Sequence, residues 1–102
     1  MLSAFKFLLS VFRFTILVSS GFTTLPSDQT VMEGEEVIFH CAAKGNPAPR
    51  ITWTKDGNIL ASGNTFKFTA RKNDSGEYFC SAENGVELAI NASAHLDVQC
   101  KF

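Results

Sequence analysis

The sequence predicts an all-β fold, a two-sheet antiparallel sandwich of about seven short strands. Three observations predict it. Beyond residue 20 the apolar residues sit in short runs rich in β-branched and aromatic side chains, without the long periodicity of a helix. Within most runs apolar and polar residues alternate, so that one face of each strand is buried and the other meets water. Clusters of Gly, Pro, Asn and Asp cut the runs at close intervals.

Size and charge bound the rest. The chain has 102 residues, and its first 20 carry four of the ten Phe with only two charges, Lys6 and Arg13. Phe7 to Val18 reads FLLSVFRFTILV, preceded by Lys6 and followed by Ser19, Ser20 and Gly21. A charged start, an apolar centre and a small-residue exit are the layout of a secretory signal, so residues 1–20 are expected to be a signal peptide cut after Ser19 or Ser20. The apolar stretch falls short of the roughly 20 residues a membrane span requires, and Arg13 interrupts it. The remaining segment, residues 21–99, is large enough for one domain and too small for a dinucleotide-binding unit or a barrel enzyme. Nine basic residues face ten acidic ones in the whole chain, and without Lys6 and Arg13 the balance is seven to ten. That mildly acidic charge excludes nucleic acid as the expected partner. A hydrophobic fraction of 45% excludes a disordered chain.

The elements follow in order. Thr23 to Thr30 contains Pro26, which lacks an amide donor, so an edge strand is the most it can form. Glu33-Gly34-Glu35 turns the chain. Glu36 to Ala42 places Val37, Phe39 and Cys41 on one face and Ile38 and His40 on the other. Lys44 to Arg50 is a loop set by Gly45, Pro47 and Pro49. Ile51 and Trp53 point inward between Thr52 and Thr54. Lys55-Asp56-Gly57-Asn58 is a hairpin turn into a short strand at Ile59 and Leu60. After a turn at Ser62-Gly63-Asn64, Phe66, Phe68 and Ala70 share a face. Asn73-Asp74-Ser75-Gly76 turns again, and Tyr78, Cys80 and Ala82 face inward with Phe79 and Ser81 outward. Glu83-Asn84-Gly85 signals a hairpin into a last strand with Ala92, Ala94, Leu96 and Val98 inward. Residues 100–102 are a tail or the start of a linker to a next domain.

Cys41, Trp53, Asp74, Gly76, Tyr78 and Cys80 stand in the order Cys…Trp…Asp-x-Gly-x-Tyr-x-Cys, with both cysteines and the tryptophan on inward faces. Over Leu25 to Val98 the chain resembles the immunoglobulin superfamily. Glu33-Gly34-Glu35, Gly45-Asn46-Pro47-Ala48-Pro49, Trp53-Thr54-Lys55-Asp56-Gly57 and Cys80-Ser81-Ala82-Glu83-Asn84 resemble the intermediate-set or constant-2-like domains of neural adhesion and hemicentin-like proteins. The resemblance implies that Cys41 and Cys80 form a disulfide between the sheets, with Trp53 packed on it. It also implies that Tyr78 forms a corner bonded to nearby backbone, and that Asp74 is a structural turn residue. Only twelve residues separate Trp53 from Phe66, too few for the extra strands of a variable-type domain, and a fourth strand beside the Phe66 strand is expected to be missing. Two departures stand out. Glu87 occupies a place where the family commonly has Gly. The Phe66 strand lies one residue closer to Asp74 than expected, which predicts a local bulge or slip.

Little chemistry is on offer. His40 and His95 are the only histidines, both outward, with no metal-ligand spacing, so no metal and no cofactor are expected. Ser75 and Ser81 have no His and Asp to activate them, and no enzyme is expected. Function therefore falls to the surface. Phe79, outward between Thr52 and Thr54 of a neighbouring strand, is the candidate interface anchor. Asn73-Asp74-Ser75 and Asn91-Ala92-Ser93 are glycosylation sequons, with Asn91 the better placed. Cys100 is the odd cysteine: a neutral linker residue, an intermolecular thiol, or half of a bridge to sequence outside the chain. The resemblance implies a secreted or cell-surface binding module for adhesion or receptor recognition, with a protein ligand or homophilic contact. A membrane enters only through sequence outside the chain. The alternatives are a structural spacer of a longer multidomain protein and a small secreted decoy.

Overall fold

The computed structural model describes residues 21–100, so the signal peptide expected over residues 1–20 lies outside the described residues. Among the described residues nine strands form, and they run β1 (Gly21–Thr24), β2 (Gln29–Met32), β3 (Glu36–His40), β4 (Ala42–Lys44), β5 (Arg50–Lys55), β6 (Asn58–Ser62), β7 (Thr65–Thr69), β8 (Gly76–Glu83) and β9 (Ile90–Gln99). The two beyond the expected seven come from splitting. Pro26 breaks the first expected strand into β1 and β2, and Cys41 separates β3 from β4.

One layer is a five-stranded sheet in the order β2-β9-β8-β5-β6. The other is built from the pairs β3–β7 and β1–β4. Pro26 lies where the chain leaves β4's partner for β9's, a crossing at which a missing amide donor costs no ladder bond. The antiparallel expectation fails at one strand: β2 runs parallel to β9, from Gln29 opposite Leu96 to Met32 opposite Gln99. A chain that reaches the second sheet without reversing direction can pair there in no other sense. A single strand, β6, lies between β5 and β7, as the twelve-residue interval requires.

The bulge expected near Phe66 is absent, and β3 and β7 pair without a register shift from Glu36–Thr69 to His40–Thr65. The irregularity falls in the β5–β6 hairpin, between Trp53 and Thr54. The tight turn fixes Lys55 opposite Asn58, with Asp56 and Gly57 at positive φ of 52° and 79°. Further along, Trp53 pairs with Ala61, and the extra residue, Leu60, is absorbed as the bulge. The turn expected at Asn73–Gly76 begins with a short 3-10 turn, Lys72–Asp74.

Val37, Phe39, Cys41, Trp53, Cys80 and Leu96 are fully buried, and no polar or charged residue is buried among the described residues. Cys41 and Cys80 are joined with an S–S distance of 2.07 Å. The Phe39 ring lies 5.9 Å from Trp53 and 5.2 Å from Tyr78, centroid to centroid, within the range of favourable aromatic pairs. The Trp53 indole N–H donates to the Gly63 carbonyl at 2.8 Å, which removes the cost of burying that donor.

Candidate recognition surface

The outward face of the five-stranded sheet follows from its register. Directly opposed residues project to the same side. Ile59 of β6 opposes Thr54 of β5, Thr54 opposes Phe79 of β8, and Phe79 opposes Ser93 of β9. Those four residues form one row across the sheet. The next row is Ser62, Thr52, Ser81 and Asn91. On the other side Glu77 opposes His95. The structure thus brings Phe79, Thr52 and Thr54 together, with Phe79 41% exposed and the two threonines half-buried.

Ile59 is the member that sequence reasoning missed, and it is 75% exposed. The signal was present. Counting back from a two-residue turn at Asp56-Gly57 sets Thr54 against Ile59, and an outward Thr54 then requires an outward Ile59. The row therefore has two exposed apolar side chains on either side of a half-buried threonine. Polar groups bound it. The His95 ring Nδ1 lies 3.0 Å from the Glu77 carboxylate, and the His95 amide donates to Asp28 at 2.8 Å. An apolar centre with a polar margin is the general anatomy of a protein interface.

The remaining predicted residues lie elsewhere. Tyr78 is buried and its hydroxyl donates to the Asp74 carbonyl oxygen at 2.6 Å. Burial pushes the Tyr78 pKa up to about 12, and the Asp74 and Asp56 carboxylates add to the shift. The Asp74 carboxylate accepts from the Arg71 amide at 2.8 Å and closes the 3-10 turn. Asn73 is exposed in that turn, and Asn91 is exposed in the row beside Phe79. Cys100 is exposed just past β9. Asn84 holds the loop that carries Glu87: its side-chain oxygen accepts from the Val86 and Glu87 amides, both at 3.0 Å, which orders that loop without the family's glycine. His40 pairs with Thr65 in the opposite layer, and no metal-binding group of His, Cys, Asp or Glu occurs among the described residues.

A family model described as an immunoglobulin domain matches residues 21–84. The human Peroxidasin homolog is 40% identical over 89 residues, which is 76% of this chain and 6% of that protein. Human Hemicentin-1 is 39% identical over 80 residues, 71% of this chain and 1% of that protein. The chain thus spans a small part of the curated relatives it matches. A solved structure described as Dpr11 IG1 bound to DIP-gamma IG+IG2 superposes with a TM-score of 0.75 at 27% identity, over 81% of this chain and 49% of that one. The bridge, the tryptophan packed beside it and the tyrosine corner agree with the sequence match: the chain belongs to the immunoglobulin domain family, as a non-catalytic module of that fold.

Proposed function

We propose that this chain is an extracellular recognition module that binds a protein partner through the outward face of its five-stranded sheet, in cell adhesion or receptor recognition. The observation that carries the reading is the row Ile59–Thr54–Phe79, two exposed apolar side chains held in line by the backbone register. Rigid strands fix both anchors before contact, so little conformational entropy is lost on binding. The Dpr11–DIP-gamma complex supports an immunoglobulin-like protein as the partner class, and a second copy of this chain belongs to the same class. Export through the amino-terminal signal would supply the oxidising setting in which Cys41–Cys80 forms. The small share of each relative covered favours a second reading, a spacer domain with no ligand of its own.

The test compares the wild-type chain with Phe79→Ser and Ile59→Ser. Beads coated with each are scored for clustering and for capture of cells. The proposal expects wild-type beads to cluster or to bind cells, and each variant to lose at least about tenfold with an unchanged thermal midpoint. Binding unaltered by both substitutions would move the interface off this face. Wild-type beads that neither cluster nor bind any cell would favour the spacer.

A further inference from the structure

The second layer has an open edge. Among the described residues β7 pairs with β3 and with no strand on its other side. The ladder fixes which backbone groups are left free. Ala70 donates to the Glu35 carbonyl, and Cys41 donates to the Asn64 carbonyl. In an antiparallel pair hydrogen-bonded positions alternate, so Phe66 and Phe68 bond to β3 while Thr65, Lys67 and Thr69 turn their amides and carbonyls away from it. Ile38, opposite Lys67, obeys the same alternation: its carbonyl faces away from β7 and accepts from the Gln29 side chain at 2.8 Å. On β7, among the described residues, no side chain bonds the equivalent backbone groups, and the one side-chain contact, from His40, goes to the Thr65 hydroxyl. Only Gly63 and Asn64 separate β7 from β6, which pairs with β5 in the other sheet, so no strand between them covers this edge.

Beside this edge lies a trough of about 420 Å³, lined on its apolar side by Leu60, Phe66, Phe68 and Tyr78 and at its rim by Lys55 and Arg71 together with Asp56 and Asp74. The two edges that flank it differ. The β6 edge is interrupted by the Leu60 bulge, a feature that blunts pairing. The β7 edge is regular and carries Lys67 at its centre, exposed on the outer side. Antiparallel pairing of two β7 strands about Lys67 would set two lysines opposite each other, which disfavours a second copy. At the rim Lys55 is paired with Asp56 at 3.7 Å and Asp74 offsets Arg71, so the charge that selects an occupant is that of Lys67, the one charged residue of β7.

We propose that the β7 edge and its trough form a second binding site that accepts an extended segment of a partner polypeptide as an added strand, with an acidic residue opposite Lys67 and apolar residues on either side of it filling the trough. Backbone pairing supplies the affinity and the alternating side chains supply the choice. The site is separate from the Phe79 face, at the open side of the sandwich between the β6 and β7 edges.

The probes are two acetylated and amidated peptides, Ser-Thr-Val-Glu-Val-Thr-Ser and the same sequence with Lys at its centre, added at millimolar concentration to the full chain with its disulfide intact. Amide hydrogen exchange by NMR is the readout. In the free chain the amides of Thr65, Lys67 and Thr69 exchange at least about tenfold faster than those of Phe66 and Phe68. The Glu-centred peptide slows those three, binds about fivefold tighter than the Lys-centred one, and loses that advantage to it in Lys67→Glu. Lys67→Pro removes one outward donor without removing a bond to β3, and abolishes peptide protection. If that variant fails to fold, Lys67→Glu still decides. Phe79→Ser leaves peptide binding unchanged, which separates this site from the other. No protection by the Glu-centred peptide overturns the proposal, as does equal binding of both peptides. A peptide-free dimer in which the Thr65, Lys67 and Thr69 amides are already protected overturns it in favour of a second copy.

Discussion

Tyr78 is the one tyrosine in the chain, and its hydroxyl is fixed to the Asp74 carbonyl within a buried aromatic group. Its pKa, raised to about 12, makes it a reporter of the fold. The neutral phenol is favoured in the folded state relative to the unfolded one. The stabilisation is therefore complete below the unfolded value near 10 and is lost as the pH rises toward about 12. Tyrosinate absorbance should rise with a midpoint near 12 in the native chain and near 10 in urea. A native midpoint at the unfolded value would refute the burial of this group. Tyr78→Phe should remove the titration and cost about 1 kcal/mol in urea unfolding, because the Asp74 carbonyl loses its donor. The disulfide is the other residue-scale determinant. It closes a separation of 39 residues, and replacing both Cys41 and Cys80 with Ala should cost about 4 kcal/mol on the chain-entropy account. A loss under about 1 kcal/mol in the same unfolding assay would contradict that account. These two sites were legible through the family resemblance, which the residue types and separations of Cys41, Trp53, Tyr78 and Cys80 carry and which implies both the bridge and the corner.

At the scale of elements the sequence was readable where alternation is strict and misleading where register depends on a turn. Val37, Phe39, Tyr78, Cys80, Ala82, Ala94, Leu96 and Val98 all face inward as their period of two demands. The β5–β6 hairpin was harder. Its apolar residues Ile59 and Leu60 are adjacent, so alternation alone does not say which faces out, and the bulge that sends them different ways arises from the turn. The β3–β7 pair shows the reverse error, since counting toward Asp74 suggested a slip that the 3-10 turn takes up instead. The last strand carries a further prediction. Asn91 is exposed on β9, one row from Phe79, and Ser93 of its sequon is exposed as well. In material made by a glycosylating cell, glycosidase should lower the mass of the chain, and Asn91→Gln should remove most of that change. Asn73→Gln should remove less, since the sequon there has Asp74 in its middle position within a tight turn. A glycan at Asn91 would crowd the Phe79 row, so Asn91→Gln should also strengthen bead clustering or cell capture. Unchanged mass after glycosidase would set aside both sites.

For the whole molecule the question is what the sandwich joins. The Phe79 row spans the five-stranded sheet, the trough lies between the β6 and β7 edges of the two layers, and β9 ends at Gln99, whose carbonyl accepts from the Glu33 amide at 2.9 Å. That bond ties the end of β9 to the end of β2, so the next residue, Cys100, leaves the fold from an anchored point. The cysteine is exposed and outside the Cys41–Cys80 bridge, and in an oxidising compartment an exposed thiol reacts with whatever thiol or disulfide reaches it. A disulfide through Cys100 would join two copies at the end of β9. It would also raise the effective concentration of one copy's recognition face for a second partner site, so weak contacts would act together. The expected outcome is a disulfide-linked dimer on a non-reducing gel of the expressed chain. Cys100→Ser should abolish that band without changing the thermal midpoint, and should weaken capture by a surface-bound partner more than capture in solution. A monomer band alone in the wild type would discard the bridge. A dimer surviving in Cys100→Ser would assign the link to Cys41 or Cys80 and would mean that the internal disulfide had opened.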